Sequence, residues 1–229
     1  MIDINNTLDL IKLKFYNEWL YTSHLADEGE SQLHQSLTKQ VVPTYVDPLE
    51  LKKDSFIVDI GCGAGYFLDE MKERGFTNVV GTTLSENDAK LCTERGHTVK
   101  IHDPSFLPQT DGFHDESVDF IFLRHTLNQS PYPVISLTEY NRILRQFGKM
   151  YIEVPAPECE RRHEFVNSNY SILGMVQLLA LLERTGFHVE KFNNLDFDVT
   201  VSQPNEEQKS IKEKYFAILV TKQRPLDIK

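Results

Sequence analysis

Between residues 56 and 154, short apolar runs alternate with segments whose apolar positions follow helical spacing. The runs predict strands at 56–60, 79–82, 98–101, 117–123 and 150–154. The intervening segments predict helices at 65–74, 85–95 and 133–146. The runs contain few polar residues, as expected for strands that are covered on both faces. This alternation is typical of an α/β fold in which a parallel sheet carries helices on both sides.

The two ends of the chain depart from this rhythm. Apolar stripes at 7–22 and 31–42 predict two helices, which we interpret as an N-terminal helical cap or lid over residues 1–53, ahead of a domain at 54–229. If these helices cover a site, Tyr21, His24 and His34 are candidate site residues. Packing against the core is the simpler alternative for both helices.

After the fifth strand, residues 155–170 form a polar segment that we expect to lie over the site. The remaining pattern predicts a helix at 171–185, a strand at 189–195, a polar loop at 202–213 and a strand at 215–221. Since no helix is predicted between the last two strands, they should be antiparallel neighbours.

A glycine-rich stretch joins the first strand to the first helix of the α/β region, with Gly61, Gly63 and Gly65 at alternate positions. Glycine allows positive φ and lets a ligand approach the backbone, and the following helix N-terminus suits an anionic or polar group. In the dinucleotide fingerprint the third glycine would stand where this chain has Tyr66. The bulk of Tyr66 argues against that cofactor class.

Composition narrows the class of protein. The 229 residues carry a formal net charge of −10, which argues against sequence-independent nucleic-acid binding but leaves room for a local basic patch. Three cysteines without zinc-site spacing indicate a reducing compartment. The polar N-terminus does not resemble a signal peptide, and no apolar run is long enough to span a membrane. We therefore expect a cytoplasmic protein.

Five motifs occur in order along the chain: Val58–Gly65, Phe113–Asp119, Arg124–Leu127, Asn141–Lys149 and Leu181–Phe187. Together they resemble the class I S-adenosylmethionine-dependent methyltransferases, and within them the small-molecule branch with the type 11 domain. The resemblance covers about residues 54–222. It implies a seven-stranded Rossmann-like sheet, mostly parallel with the last strand antiparallel, and S-adenosylmethionine as cofactor.

The resemblance also implies a cofactor site. Its residues would come from the glycine turn, the end of the second strand, the loop after the third strand and the end of the fourth strand. They are Asp59, Gly61, Cys62, Gly63, Gly65, Thr82, Thr83, Leu84, Asp103, Pro104, Ser105, Phe106, Arg124 and His125.

Two positions depart from the family pattern. Thr83 stands where the family usually has a ribose-binding acid, so we expect weaker cofactor binding or compensation by Glu86, with Asp88 as a helix cap. Asn128 and Gln129 stand where the family often has a carboxylate–histidine pair. This second departure weakens the case for acid–base chemistry from that loop.

For catalysis we consider His125 first, since an unperturbed histidine titrates near neutrality, and then His163 and Glu164. Asn167, Asn169 and Tyr170 could line the same wall. No spacing supports a metal site. We expect a small-molecule acceptor, no nucleic-acid partner and no membrane partner, and the oligomeric state is open. A cofactor-binding scaffold without transfer activity is one alternative, and a nucleotide-dependent oxidoreductase is another.

Overall fold

The computed structural model of the chain describes residues 29–157, 159–201 and 209–225. The helix expected at 7–22, with Tyr21 and His24, lies outside these residues. The described helices are α1 (Gln32–Val41), α2 (Tyr66–Glu73), α3 (Glu86–Glu94), α4 (Pro133–Ile143) and α5 (Met175–Arg184). The strands are β1 (Ile57–Ile60), β2 (Val79–Thr83), β3 (Thr98–Ile101), β4 (Val118–Arg124), β5 (Leu144–Pro155), β6 (Phe187–Val201) and β7 (Lys209–Lys222).

The seven strands form one sheet in the order β3-β2-β1-β4-β5-β7-β6. β7 is antiparallel to both neighbours, and the other pairings are parallel. This arrangement confirms the predicted fold class. The chain leaves β1 toward β2 and β3 and then returns to place β4 beside β1. The carboxyl ends of β1 and β4 therefore flank the switch point at which ligands bind in sheets of this kind.

The helix predicted at 31–42 is present as α1. Ser31 caps it by accepting a hydrogen bond from the backbone N–H of His34 at 3.3 Å. The chain continues through a π-helical turn, Val42–Val46, whose Tyr45 packs on Tyr151 of β5. Phe67 of α2 stacks on Phe122 of β4 at 3.9 Å in the same apolar cluster. Val41 of α1 belongs to this cluster too, so the end of α1 packs against the same face of the sheet.

The largest difference from the predicted elements is the hairpin of β6 and β7. β6 extends to Val201 instead of 195, and β7 begins at Lys209 within the expected loop at 202–213. The added part of β7 alternates the buried side chains of Ile211 and Glu213 with the exposed Lys212. Because one of the buried positions is a carboxylate, the apolar alternation that marks a strand is hidden in the sequence.

No helix among the described residues is long and apolar enough to cross a membrane.

Candidate active site

A cleft of about 490 Å³ opens at the carboxyl ends of β1, β2 and β4. Ten of the residues predicted for the cofactor site line it. They are Asp59, Gly61, Cys62, Gly63, Thr82, Thr83, Leu84, Pro104, Arg124 and His125. His34 and Thr38 of α1 also line the cleft, so the helix predicted as part of a cap borders the site.

The glycine turn after β1 has no room for a side chain at its first position. Gly61 has a φ of +75°, and a Cβ there would lie 2.0 Å from the hydroxyl oxygen of Thr126. The backbone N–H groups of Gly61 and Cys62 both donate to the carbonyl of Thr82 at 2.9 Å. Gly65 does not line the cleft. It precedes α2, and Cys92 fills the space of its absent side chain, so close packing explains this glycine.

The end of β2 provides hydroxyl groups where the resemblance described above led us to expect an acid. Thr82 is fully buried, and its hydroxyl oxygen has no hydrogen-bond partner among the described residues. Thr83 accepts a hydrogen bond from the N–H of Ser85 at 3.0 Å. Asp88 is buried and lines the cleft, while Glu86 is exposed and does not line it. Asp88 is therefore better placed than Glu86 to compensate for the missing acid. Its backbone N–H donates a hydrogen bond to the hydroxyl oxygen of Ser85, the N-cap of α3, at 2.9 Å.

The loop after β3 brings only part of its predicted set to the cleft. Pro104 lines it, but Asp103, Ser105 and Phe106 do not. Asp103 accepts a hydrogen bond from the N–H of Ser105 at 2.8 Å, and the Ser105 hydroxyl bonds that of Ser136 at 2.7 Å. These bonds hold the Asp103–Pro104 turn within the protein. The predicted adenine contact of Asp103 is not supported by this placement.

On the other side of the cleft, a buried carboxylate organises the ends of β4 and β5. Glu153 accepts hydrogen bonds from Arg124 Nε at 2.8 Å and from the Tyr151 hydroxyl at 2.6 Å. The Nε2 atom of His125 lies 2.9 Å from the same carboxylate, although it is not aligned for a hydrogen bond. Burial alone would raise the pKa of Glu153, but the nearby His125 and Arg124 outweigh it and lower this pKa to about 2.

His125 is held in a strained and desolvated position. Its φ of +56° is in the left-handed region, which is uncommon for a residue other than glycine. Its ring stacks on Tyr215 of β7, with the centroids 4.8 Å apart. Burial lowers the pKa of His125, and the opposing influence of Glu153 does not compensate for it. The imidazole is therefore neutral near pH 7.

A second buried carboxylate, Glu213 of β7, lies behind Tyr215. It accepts hydrogen bonds from the Tyr215 hydroxyl and from Arg161 Nη1, both at 2.6 Å. His163 lies 3.4 Å from this carboxylate and is buried. Arg161 lines the cleft, but His163 does not.

The candidate site residues on the polar segment after β5 do not all lie in the cleft. Glu164 is exposed, pairs with Arg162 at 3.1 Å and lies outside the cleft. Asn169 bonds Asn128 at 2.7 Å, and the N–H of Tyr170 donates to the Asn128 carbonyl at 3.0 Å. The predicted catalytic roles of His163 and Glu164 have no support from geometry, whereas His125 does line the cleft.

The sequence interpretation missed Glu153, Arg161, Thr38 and Ser168, of which the last three line the cleft. A signal for Glu153 exists, since it is a single carboxylate within the apolar run Met150–Val154, as Asp59 is in β1. Among the described residues, no group of three or more His, Cys, Asp or Glu side chains is arranged to hold a metal ion.

Comparison with known proteins assigns the family. Residues 58–152 match the model described as "Methyltransferase domain". The chain carries a class I methyltransferase domain. A solved S-adenosylmethionine-dependent methyltransferase from Archaeoglobus fulgidus has the same fold, with a TM-score of 0.64 at 17% identity over 95% of this chain and 100% of that one. The predicted family and the enzyme assignment, an S-adenosylmethionine-dependent methyltransferase, are confirmed.

The methyltransferase also resembles curated proteins with different acceptors. The tRNA (carboxymethyluridine(34)-5-O)-methyltransferase of Macaca fascicularis is 30% identical over 59% of this chain, which spans 22% of that protein's length. The tRNA U34 carboxymethyltransferase of Aliarcobacter butzleri is 24% identical over 82% of this chain and 73% of that protein. The 27-O-demethylrifamycin SV methyltransferase of Amycolatopsis mediterranei is 22% identical over 71% and 65% of the two chains.

These relatives correct one prediction. The net charge of −10 led us to expect no nucleic-acid partner, but relatives from several organisms are named for tRNA, so that expectation is wrong. Net charge averages over the whole surface and gives no information about a small basic area.

Proposed function

We propose that this methyltransferase transfers a methyl group from S-adenosylmethionine to a uridine at the wobble position of a tRNA. The main support is the recurrence of tRNA uridine-34 enzymes among its relatives, which come from animals, a plant and a bacterium. Since the chain spans 22% of the first of these proteins, their substrates are carried over here only as a proposal.

The cleft lining fits the proposed cofactor. Gly61 and Gly63 line the cleft beside the N-terminus of α2, where a polar ligand group is favoured. Asp88 adds a buried carboxylate on the same side of the cleft. When bound, the cofactor supplies an electrophilic methyl group on sulfur, and the chain must align the acceptor with it and exclude water.

The segment after β5 is a candidate RNA contact. Arg161 and Ser168 of this segment line the cleft, and between them Phe165 is 73% exposed. The guanidinium of Arg162 lies over the Phe165 ring, 5.4 Å from its centroid. Unpaired bases of RNA loops stack on such aromatic and guanidinium groups. This pair therefore supports an acceptor that is presented in a single-stranded loop.

The proposal is tested by incubating the protein with labelled S-adenosylmethionine and tRNA from cells that lack its gene. We expect label in tRNA and, after nuclease digestion, in a modified uridine. Label that is absent from tRNA, or that occurs in another nucleoside, would overturn the proposed acceptor.

A matched pair of variants tests the RNA contact. Phe165→Ala should weaken tRNA binding about 5- to 150-fold, because a stacked base contributes roughly 1–3 kcal/mol. Phe147→Ala is the control, since Phe147 is 69% exposed and lies near the amino end of β5, whereas the cleft is at the carboxyl ends of the strands. Both variants should bind S-adenosylhomocysteine like the unaltered protein. Equal effects of the two variants on tRNA binding would refute a specific role for Phe165.

A further inference from the structure

His102 lies directly after β3 and brings a polar side chain to the cleft. Of residues 102–117, His102 and Pro104 line the cleft. The backbone N–H of His102 donates to the Thr83 carbonyl at 3.1 Å, which ties this residue to the end of β2. Pro104 has no backbone N–H and an apolar side chain, so the polar side chain that this loop contributes to the cleft is that of His102.

The imidazole of His102 is held in place by its neighbours. Its Nε2 atom lies 2.5 Å from Oδ2 of Asp111, which ends the short turn Gln109–Asp111. Nζ of Lys100 donates to the Asp111 carbonyl at 2.6 Å and so fixes this turn to β3. The ring also meets the buried Phe113 almost perpendicularly, with the centroids 6.2 Å apart. These contacts orient the imidazole without any help from a ligand.

The pairing with Asp111 determines which ring nitrogen carries the proton. A carboxylate accepts hydrogen bonds and donates none, so in the neutral imidazole Nε2 carries the proton and donates it to Asp111. Nδ1 is then an acceptor. Within the described part of the chain no group donates to Nδ1, and the side chain is 20% exposed. Nδ1 is therefore the atom of this ring that is left for a ligand.

We propose that His102 selects the adenine ring of the cofactor, with Nδ1 accepting a hydrogen bond from the exocyclic amino group. Asp111 acts as a positioning residue, because it fixes the acceptor character of Nδ1. This inference rests on the cofactor of the function proposed above and is independent of the methyl acceptor. Asp103, from which we expected the adenine contact, is buried, does not line the cleft and accepts from the N–H of Ser105. His102 takes its place in reading the base.

The direction of this hydrogen bond makes the inference testable. Adenine carries an amino group, which donates, where hypoxanthine carries a carbonyl oxygen, which only accepts. Two acceptors that face each other leave both groups unpaired, and an unmade hydrogen bond at a site shielded from water weakens binding. An acceptor at Nδ1 therefore favours adenine, whereas a proton on Nδ1 favours hypoxanthine. The sign of the preference reports where the proton lies.

The first experiment changes the ligand and leaves the protein intact. Calorimetry compares S-adenosylhomocysteine with S-inosylhomocysteine, in which hypoxanthine replaces adenine. We expect the adenine ligand to bind about 5- to 150-fold more tightly. Equal binding, or tighter binding of the hypoxanthine ligand, would overturn the role of His102 and leave the cofactor assignment in place. If neither ligand binds, the proposed cofactor and the role of His102 are both wrong.

A variant then assigns the preference to the residue. His102→Phe keeps a ring beside Phe113 but removes both nitrogens, so it should weaken binding of the adenine ligand and leave that of the hypoxanthine ligand nearly unchanged. His114→Phe is the control, because His114 is exposed and does not line the cleft. A preference that persists in His102→Phe, or equal weakening of both ligands, would show that His102 does not read the base.

A second variant tests the positioning role of Asp111. Asp111→Asn keeps the size of the side chain, but its amide can donate to Nε2 and so move the proton to Nδ1. The preference for adenine should shrink or reverse. A merely structural role of Asp111 would weaken both ligands by the same factor. Asp115→Asn is the control, since Asp115 pairs with Arg142 and is 62% exposed. An unchanged adenine preference in Asp111→Asn would overturn the positioning role.

Discussion

The buried carboxylate of Glu153 should make a measurable, pH-dependent contribution to stability. Its pKa is about 2 in the folded protein, against an ordinary value of 4.5. At about 1.4 kcal/mol per pKa unit, this gap corresponds to roughly 3 kcal/mol. Because the folded pKa is lowered, the contribution is fully present above about pH 5 and declines as the pH falls from 4.5 toward 2. Glu153→Gln removes the charge while nearly preserving shape.

We expect Glu153→Gln to lower the free energy of unfolding by about 3 kcal/mol near pH 7, since it also leaves the buried Arg124 without its carboxylate. Urea denaturation near pH 7 and again near pH 4 measures this difference, which should shrink at the lower pH. The control is Glu190→Gln. The Glu190 carboxylate is 32% exposed in its ion pair with Lys149, so this substitution should lower the free energy of unfolding by less than about 1 kcal/mol. A Glu153→Gln protein as stable as the original near pH 7, or a difference that is independent of pH, would refute the reasoning.

The remaining predictions concern the cofactor side of the cleft. Gly61→Ala should abolish S-adenosylhomocysteine binding in calorimetry because of the clash with the residue 126 hydroxyl, whereas Gly75→Ala, with similar φ and open space, should retain it; similar losses in both would contradict this. Thr83→Asp should tighten that binding about 10-fold by adding a charged acceptor, and unchanged affinity would place Thr83 away from the ribose. Asp88→Asn should weaken binding about 5- to 10-fold while the exposed Glu86→Gln has no effect, and the reverse order would restore Glu86 as the compensating acid.

The sequence predicted the sheet well where strands are buried on both faces. The runs that form β1 and β4 are almost entirely apolar, so their position follows from composition alone. The hairpin of β6 and β7 was predicted too short. There, Asp198 pairs in register with Lys212 and the buried Glu213 follows, so polar residues occupy positions that a sequence pattern assigns to a loop.

The same contrast applies to the candidate site. The glycine turn is local, so spacing along the chain predicts that Gly61 and Gly63 border a ligand. The contact of Arg124 with Glu153 depends on the parallel register of β4 and β5, which sequence spacing does not contain. His163 was expected in the site because its segment follows a strand end, but its side chain turns toward Glu213 of β7. Long-range pairings of this kind become visible only after the sheet is assembled.

The acidic composition and the proposed RNA acceptor become compatible when the cations are considered one by one. Arg124 and Arg161 are each paired with a buried glutamate, so they add little net positive charge to the cleft. In the described part of the segment after β5, Arg162 is 61% exposed, and its ion pair with Glu164 lies at the surface, where a phosphate can replace the carboxylate. With about two phosphate contacts, the logarithm of tRNA affinity should fall against the logarithm of salt concentration with a slope of roughly −1.4. Filter binding over a salt series measures this slope. A slope several times steeper would indicate an extended phosphate-binding surface. It would contradict recognition through stacking at Phe165 and hydrogen bonds in the cleft.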